Sequence, residues 1–289
     1  MVRAPQHRPP SPLSLPAHPG CCLPAWLTAA AVVHASRAEG NFVFLFVGSE
    51  RAILFDTGPI PYEPFKEAIA EHVPNAASLD LIVAHTHSHG DHIKGDPLWE
   101  AEAAGERDSP FRSVVVVGHS PQEVADFYSL DFAPDGSCED ATTTFHLGGG
   151  RELQLFWIRG HEDSHIAVYD EVTDVLVTGD VLYPGRLYVR DTPQFAATCQ
   201  RMAAFVQHLP PARRDALRVL GCHIEMSSDG GEYETGTVYQ PDEAKYEMTA
   251  QDVLDLASAT SGAGSGGQTS GLAEGFDPNR RFMVVPPRL

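Results

Sequence analysis

The stretch Leu81 to Asp96 reads LIVAHTHSHGDHIKGD, and four histidines and an aspartate fall within the eight positions His85 to His92. A lone imidazole in a folded chain is usually a packing or surface group. Crowding several beside a carboxylate costs desolvation and mutual repulsion on protonation, and a divalent cation that takes their lone pairs offsets that cost. The apolar run Leu79 to Ala84 reads as a buried strand, so the cluster belongs to the loop leaving it, held by a sheet yet open to solvent. Two registers compete. One groups His85, His87 and His89 as an alternating trio. The other takes His87, His89, Asp91 and His92 as an HxHxDH unit. In that unit residues two apart converge on one ion and the adjacent Asp-His pair serves a second, leaving His85 to pack behind the ligands.

Outward from the cluster the pattern is strand, turn and helix. Asn41 to Val47 (NFVFLFV), a Gly-Ser-Glu-Arg turn and Ala52 to Phe55 read as a hairpin running into Asp56-Thr57-Gly58. Pro64 to His72 has helical spacing. Further strands are expected at Ser113 to Val117, Glu152 to Ile158, Ile166 to Tyr169, Val175 to Thr178 and Arg218 to Gly221. Helices are expected near Gln122 to Tyr128, Pro193 to His208 and Asp242 to Leu256. Hairpins and intervening helices together suggest a mixed sheet pair covered by helices. The final FMVVPPRL reads as an edge strand that docks back.

The 289 residues are 43% hydrophobic, enough for a full core. A formal net charge of -19 argues against binding to nucleic acid or anionic lipid, and no apolar run reaches the length of a membrane span. The cysteines (Cys21, Cys22, Cys138, Cys199 and Cys222) show no CxxC pair, which speaks against a disulfide framework and for a reducing, cytoplasmic setting. Residues 1–38 are Pro-rich and carry three arginines and no acid. They are expected to form an extension, with a targeting segment as the alternative. Residues 39–258 would form the catalytic domain. Residues 259–289 would form a Gly/Ser-rich loop and tail.

Thr86-His87-Ser88-His89-Gly90-Asp91-His92 resembles the signature of the metallo-β-lactamase-fold hydrolase superfamily. Asp56-Thr57-Gly58 matches the turn expected upstream. Gly160-His161, Gly179-Asp180 and Gly221-Cys222-His223, each just beyond an apolar strand, match the later ligands. The resemblance covers roughly residues 41–223 and implies a four-layer αββα sandwich of α/β (α+β) class with a dinuclear site at one edge of the sheets. Carried over, one metal takes His87, His89 and His161, and the other takes Asp91, His92 and His223, with Asp180 bridging both. Such a set suits two zinc ions, though iron or manganese also accept it. The chain departs from the family after Gly160-His161, where Glu162, Asp163, Ser164 and His165 follow, so His165 is an alternative to His161.

The activity implied is hydrolysis of an ester, lactone or thioester of a small molecule by a metal-bridging hydroxide. Asp91 would orient the nucleophile and carry a proton, while Asp56, with His85, would support the ligands from behind. The bridging Asp180 is similar to that of glyoxalase II and the lactonases. Tyr183, three residues on, sits where a lactonase tyrosine assists the carbonyl or leaving group, and Arg186 would meet a substrate carboxylate. Cys222 is expected as a small buried residue. The alternative is a mononuclear iron oxidoreductase resembling the persulfide dioxygenases. A β-lactamase or a nucleic-acid processing enzyme ranks lower.

Overall fold

A computed structural model of the chain describes residues 30–34, 41–59, 62–73, 75–131, 142–234, 237, 240, 242–261 and 281–287. The expected N-terminal extension up to residue 29, the Gly/Ser stretch beyond Ser261, and Cys21, Cys22 and Cys138 lie outside the described residues.

The first half of the chain builds one sheet. Strands β1 (Ala30–His34), β2 (Phe42–Val47) and β3 (Arg51–Phe55) are followed by helix α1 (Tyr62–His72), β4 (Asp80–Ala84), the short α2 (Gly90–Ile93), α3 (Asp96–Ala103), β5 (Ser113–Val116) and α4 (Pro121–Tyr128). The strands lie in the order β1-β2-β3-β4-β5. The β2–β3 pair is the expected antiparallel hairpin, and β4 runs parallel to both β3 and β5. The second half contributes β6 (Thr142–Gly148), β7 (Arg151–Trp157), β8 (Ile166–Asp170), β9 (Val175–Gly179), β10 (Gly185–Tyr188), α5 (Thr192–His208), α6 (Pro211–Ala216), β11 (Arg218–Gly221), α7 (Ala250–Thr260) and β12 (Phe282–Val285). Its sheet has the order β11-β9-β8-β7-β6, and β12 pairs with β10 in a separate parallel ribbon. The docked C-terminal strand was expected; its partner β10 carried no clear pattern in the sequence.

Why the sheets stack follows from the run FVFLFV in β2. Every residue of it is buried, because alternate side chains enter two different cores. Phe42, Phe44 and Phe46 face Leu153, Leu155 and Trp157 of the other sheet. Val43, Leu45 and Val47 face outward against Phe65 of α1 and Trp99 of α3. On the far side of the second sheet, Phe156 and Tyr169 pack under Phe195 and Met202 of α5 and Leu256 of α7. Helix, sheet, sheet, helix is therefore the layer order, as the resemblance implied. No helix among the described residues is long and apolar enough to cross a membrane.

One expected helix starts late. The segment Asp242 to Thr249 is not its first turns, since Met248 pairs through both backbone groups with Val219, each bond 2.9 Å. Thr249 then caps α7 in a box with Asp252, and that reciprocal satisfaction of free N–H groups sets the start.

A buried ion pair in the second sheet also reaches across to the first. Arg151 reaches Asp170 at 2.6 Å and donates to the carbonyl of Val47, in the other sheet, at 2.7 Å. Removing one partner strands a buried charge. Asp170→Ala is expected to cost about 3–5 kcal/mol in urea unfolding, and a loss below about 1 kcal/mol would mean the pair behaves as a solvated one.

Strand direction gathers the chemistry. β3, β4, β7, β9 and β11 all end toward one edge of the sandwich, with β3 parallel to β4 and β9 parallel to β11. The loops leaving these strands carry Asp56, the histidine cluster, His161, Asp180 and His223.

Candidate metal centre

β4 ends at Ala84, so His85 is the first residue of the loop. Beyond it the loop turns into α2, which presents Asp91 and His92 from its first turn. His89 Nδ1 lies 3.0 Å from His87 Nε2 and 3.0 Å from His161 Nε2. Asp91 Oδ2 lies 3.4 Å from His92 Nε2 and 3.5 Å from His223 Nε2. Between the two groups stands Asp180 Oδ2, at 3.8 Å from His87, 3.7 Å from His161, 3.5 Å from His92 and 3.2 Å from His223. The HxHxDH register is thus the one whose side chains converge.

These spacings fit a cation in each group. Ligand atoms about 2.0–2.1 Å from a tetrahedral zinc stand roughly 3.3 Å from one another. The donor set is nitrogen-rich on one side and mixed nitrogen and oxygen on the other, which zinc, iron and manganese accept. Asp180 Oδ1 and His92 Nε2 are buried and make no hydrogen bond among the described residues, a costly arrangement unless another group takes their lone pairs.

The surrounding hydrogen bonds aim the rings. Asp56, in the left-handed region at φ 70°, accepts from the Thr86 amide at 2.7 Å and the Thr86 hydroxyl at 2.8 Å, and lies 3.0 Å from His92 Nδ1. The Thr86 hydroxyl, having donated to Asp56, accepts from His87 Nδ1 at 3.1 Å. His161 Nδ1 donates to the carbonyl of Tyr188 at 2.6 Å. In each ring the proton is held on Nδ1, so the Nε2 lone pair faces the centre. Asp56 therefore stands behind the His92 ring, and Thr86 extends its reach to that of His87. Cys222 is fully buried and points Sγ at Asp56, 3.3 Å away.

Charge separates the two groups. Burial, and then the neighbouring His92, push His87 well below the usual imidazole range, and burial does the same more mildly to His89 and His161. Burial also opposes charge on His92 and His223, but Asp180 outweighs it, holding His92 well above the usual range and raising His223 to about 10. Asp180 and Asp91 are themselves held low despite their burial, by the imidazoles of His223 and His92. One side thus offers neutral lone pairs, and on the other protons stand where a cation would neutralise two carboxylates.

Other expected residues fall elsewhere. His85 Nε2 meets Asp96 at 2.9 Å, which places it behind the loop. His165, the alternative to His161, stacks on the outer face of His87 with ring centroids 4.4 Å apart and does not join the converging atoms. Tyr183 is buried with its ring 5.3 Å from that of His223, but its hydroxyl donates to the carbonyl of Arg186 and lies 3.3 Å from Glu225. In this arrangement the ring, not the hydroxyl expected to assist catalysis, faces the centre. Arg186 is engaged by Glu225 and Glu232, each at 3.4 Å, so its charge is answered within the chain rather than offered to a substrate carboxylate. His119, His146 and His208 are exposed.

Asn41 was not foreseen. It is fully buried and its Nδ2 donates to both the carbonyl and Oδ2 of Asp91, at 3.0 Å each. Nothing in the sequence marks it beyond a polar residue opening an apolar strand.

Residues 109–229 match the family model described as metallo-beta-lactamase superfamily. That span includes His161, Asp180 and His223. No curated protein sequence matches the chain. Among solved structures, ETHE1 from Myxococcus xanthus is similar at 18% identity over 80% of this chain and 84% of its own, with a TM-score of 0.47. An archaeal metallo-beta-lactamase superfamily protein from Sulfolobus tokodaii is similar at 15% identity over 80% and 86%, with a TM-score of 0.43. A chemotaxis sensor ODP, solved as a peroxy diiron species, is similar at 16% identity over 80% and 90%, with a TM-score of 0.45. The four layers and the loops gathered along one edge agree with that family match, which spans residues 109–229.

Proposed function

We propose that the chain is a dinuclear metal-dependent hydrolase, with zinc as its metal, that cleaves an ester, lactone or thioester of a small molecule. The observation that carries this reading is the position of Asp180 Oδ2, within 3.2 to 3.8 Å of imidazoles from both ligand groups, where a single carboxylate is shared. Two divalent cations held there would supply a water acidified from about 15.7 toward about 7 and would polarise the acyl oxygen.

The chain's own residues do the rest. His87, His89 and His161 would hold one cation and Asp91, His92 and His223 the other, with Asp180 shared between them. Asp91 faces the shared space with the oxygen that Asn41 steadies, and would take a proton from the attacking water and pass it to the departing oxygen or sulfur as the acyl bond opens. Asp56 keeps His92 in the right tautomer. The acidic body disfavours nucleic acid and membrane surfaces as partners.

Metal content of the protein expressed in metal-replete medium, followed by a panel of lactones, thioesters, phosphoesters and nitrocefin, tests the reading. Two ions per chain with turnover of an ester, lactone or thioester are expected. A single iron per chain, with oxygen consumed on glutathione persulfide, would replace it with the oxidoreductase alternative.

A further inference from the structure

His161 and His165 are chemically identical and four residues apart, yet the fold gives them opposite surroundings. His161 turns its Nε2 to the centre. His165 is completely buried, and neither of its ring nitrogens has a hydrogen-bond partner among the described residues. An imidazole buried with both nitrogens unpartnered among the described residues is an uncommon arrangement, because each polar atom has left bulk water.

What the ring does have is close neighbours on several sides. One face lies on His87 at 4.4 Å with the planes 21° apart. The ring of His161 meets it edge-on at 5.5 Å. On a further side is the backbone of Gly179, so close that a Cβ there would lie 2.2 Å from His165 Nε2. Gly179 directly precedes Asp180. The backbone holds His165 in place: its carbonyl accepts from Ile158 at 2.9 Å, and the next amide, Ile166, donates to the carbonyl of Thr86 at 2.9 Å. One flat ring therefore touches the chain segments that carry three of the converging groups.

We propose that His165 is a positioning residue that sets the plane of the His87 ring, and its spacing from the Gly179–Asp180 turn, by shape and stacking rather than by hydrogen bonding. The inference rests on the reading that His87 ligates a cation. A ligand ring must aim its lone pair within a narrow cone, and the Thr86 hydroxyl bond to Nδ1 fixes the tautomer but leaves rotation about that bond. A flat partner against the ring face removes that freedom. Gly179 is required at its position because any side chain would enter the space the imidazole fills.

The test separates shape from polarity. His165→Phe keeps a flat ring without nitrogens, His165→Asn keeps a polar planar group without a ring, and His165→Leu fills much of the volume should the extra ring carbon of phenylalanine block folding. Each is scored by zinc affinity in chelator competition and by the visible spectrum of the cobalt-substituted protein, with unfolding of the metal-free form checked alongside. His165→Phe is expected to stay within about threefold of the wild type with an unchanged spectrum, and His165→Asn to lose about tenfold or more with shifted bands, in the range for residues supporting a ligand. His165→Leu is expected between them. Asparagine equal to or better than phenylalanine, or than leucine if the phenylalanine variant does not fold, overturns the inference, as does a wild-type affinity and spectrum in all three. A wild type that takes up no metal would instead remove the metal reading itself.

Discussion

Asp180→Asn is expected to lower turnover by about 10³-fold, since losing roughly 4 kcal/mol of transition-state stabilisation divides a rate by that much. The amide has the same shape and removes only the charge. Its oxygen can stand where Oδ2 stands, but it carries no negative charge to share between the two ligand groups, and the atom at the Oδ1 position becomes an N–H donor. Because Asp180 Oδ2 lies within 3.8 Å of His87, His161, His92 and His223 alike, both positions are weakened at once. His85→Ala is the comparison. Its ring touches Asp96 and none of the converging atoms, so its removal should cost far less. Equal losses in the two variants would mean that the other register of the cluster, with His85 among the ligands, is the functional one.

Stripping the metal should have the second large effect. A saturating ion present at about a thousand times its dissociation constant adds roughly 4 kcal/mol to stability, which raises the melting temperature by about 10 °C for a domain of this size. The metal-free centre is where that energy is missing, with His87, His92, His161, Asp180 and His223 all buried together. Each ion entering beside Asp91 must also displace protons. His223, raised to about 10 by Asp180 against the opposing effect of burial, is protonated at neutral pH in the metal-free site. Apparent affinity there should therefore climb with pH up to about 10 and fall as the solution is acidified. Calorimetry with and without a chelator, and an indicator dye that reads protons released on loading, check both parts. A melting temperature indifferent to chelation would count against a metal centre.

Much of the fold was legible because its signals are short-range. FVFLFV and the later apolar runs marked strands, and each candidate ligand followed the end of one. α7 shows where that approach stops. Its apolar spacing extended plausibly back to Asp242, but the backbone of Met248 is taken by Val219, far away in sequence. The ribbon of β10 and β12 was half visible for the same reason: the C-terminal strand reads as a strand, while its partner is four residues whose order comes from pairing.

By itself the sequence determined which residue types stand at the ends of which strands, and hence that imidazoles and carboxylates would meet at one edge of a layered sheet pair. Periodicity and steric preference act over a few residues and are written locally. Only the tertiary structure decided among chemically equal candidates: His161 inward and His165 against the back of His87, the Tyr183 hydroxyl toward Arg186 and Glu225, and Asn41 beneath Asp91. These outcomes depend on groups such as Cys222 and Asp56, 166 residues apart. No local pattern encodes such a pair, because its energy exists only once the two sheets have packed.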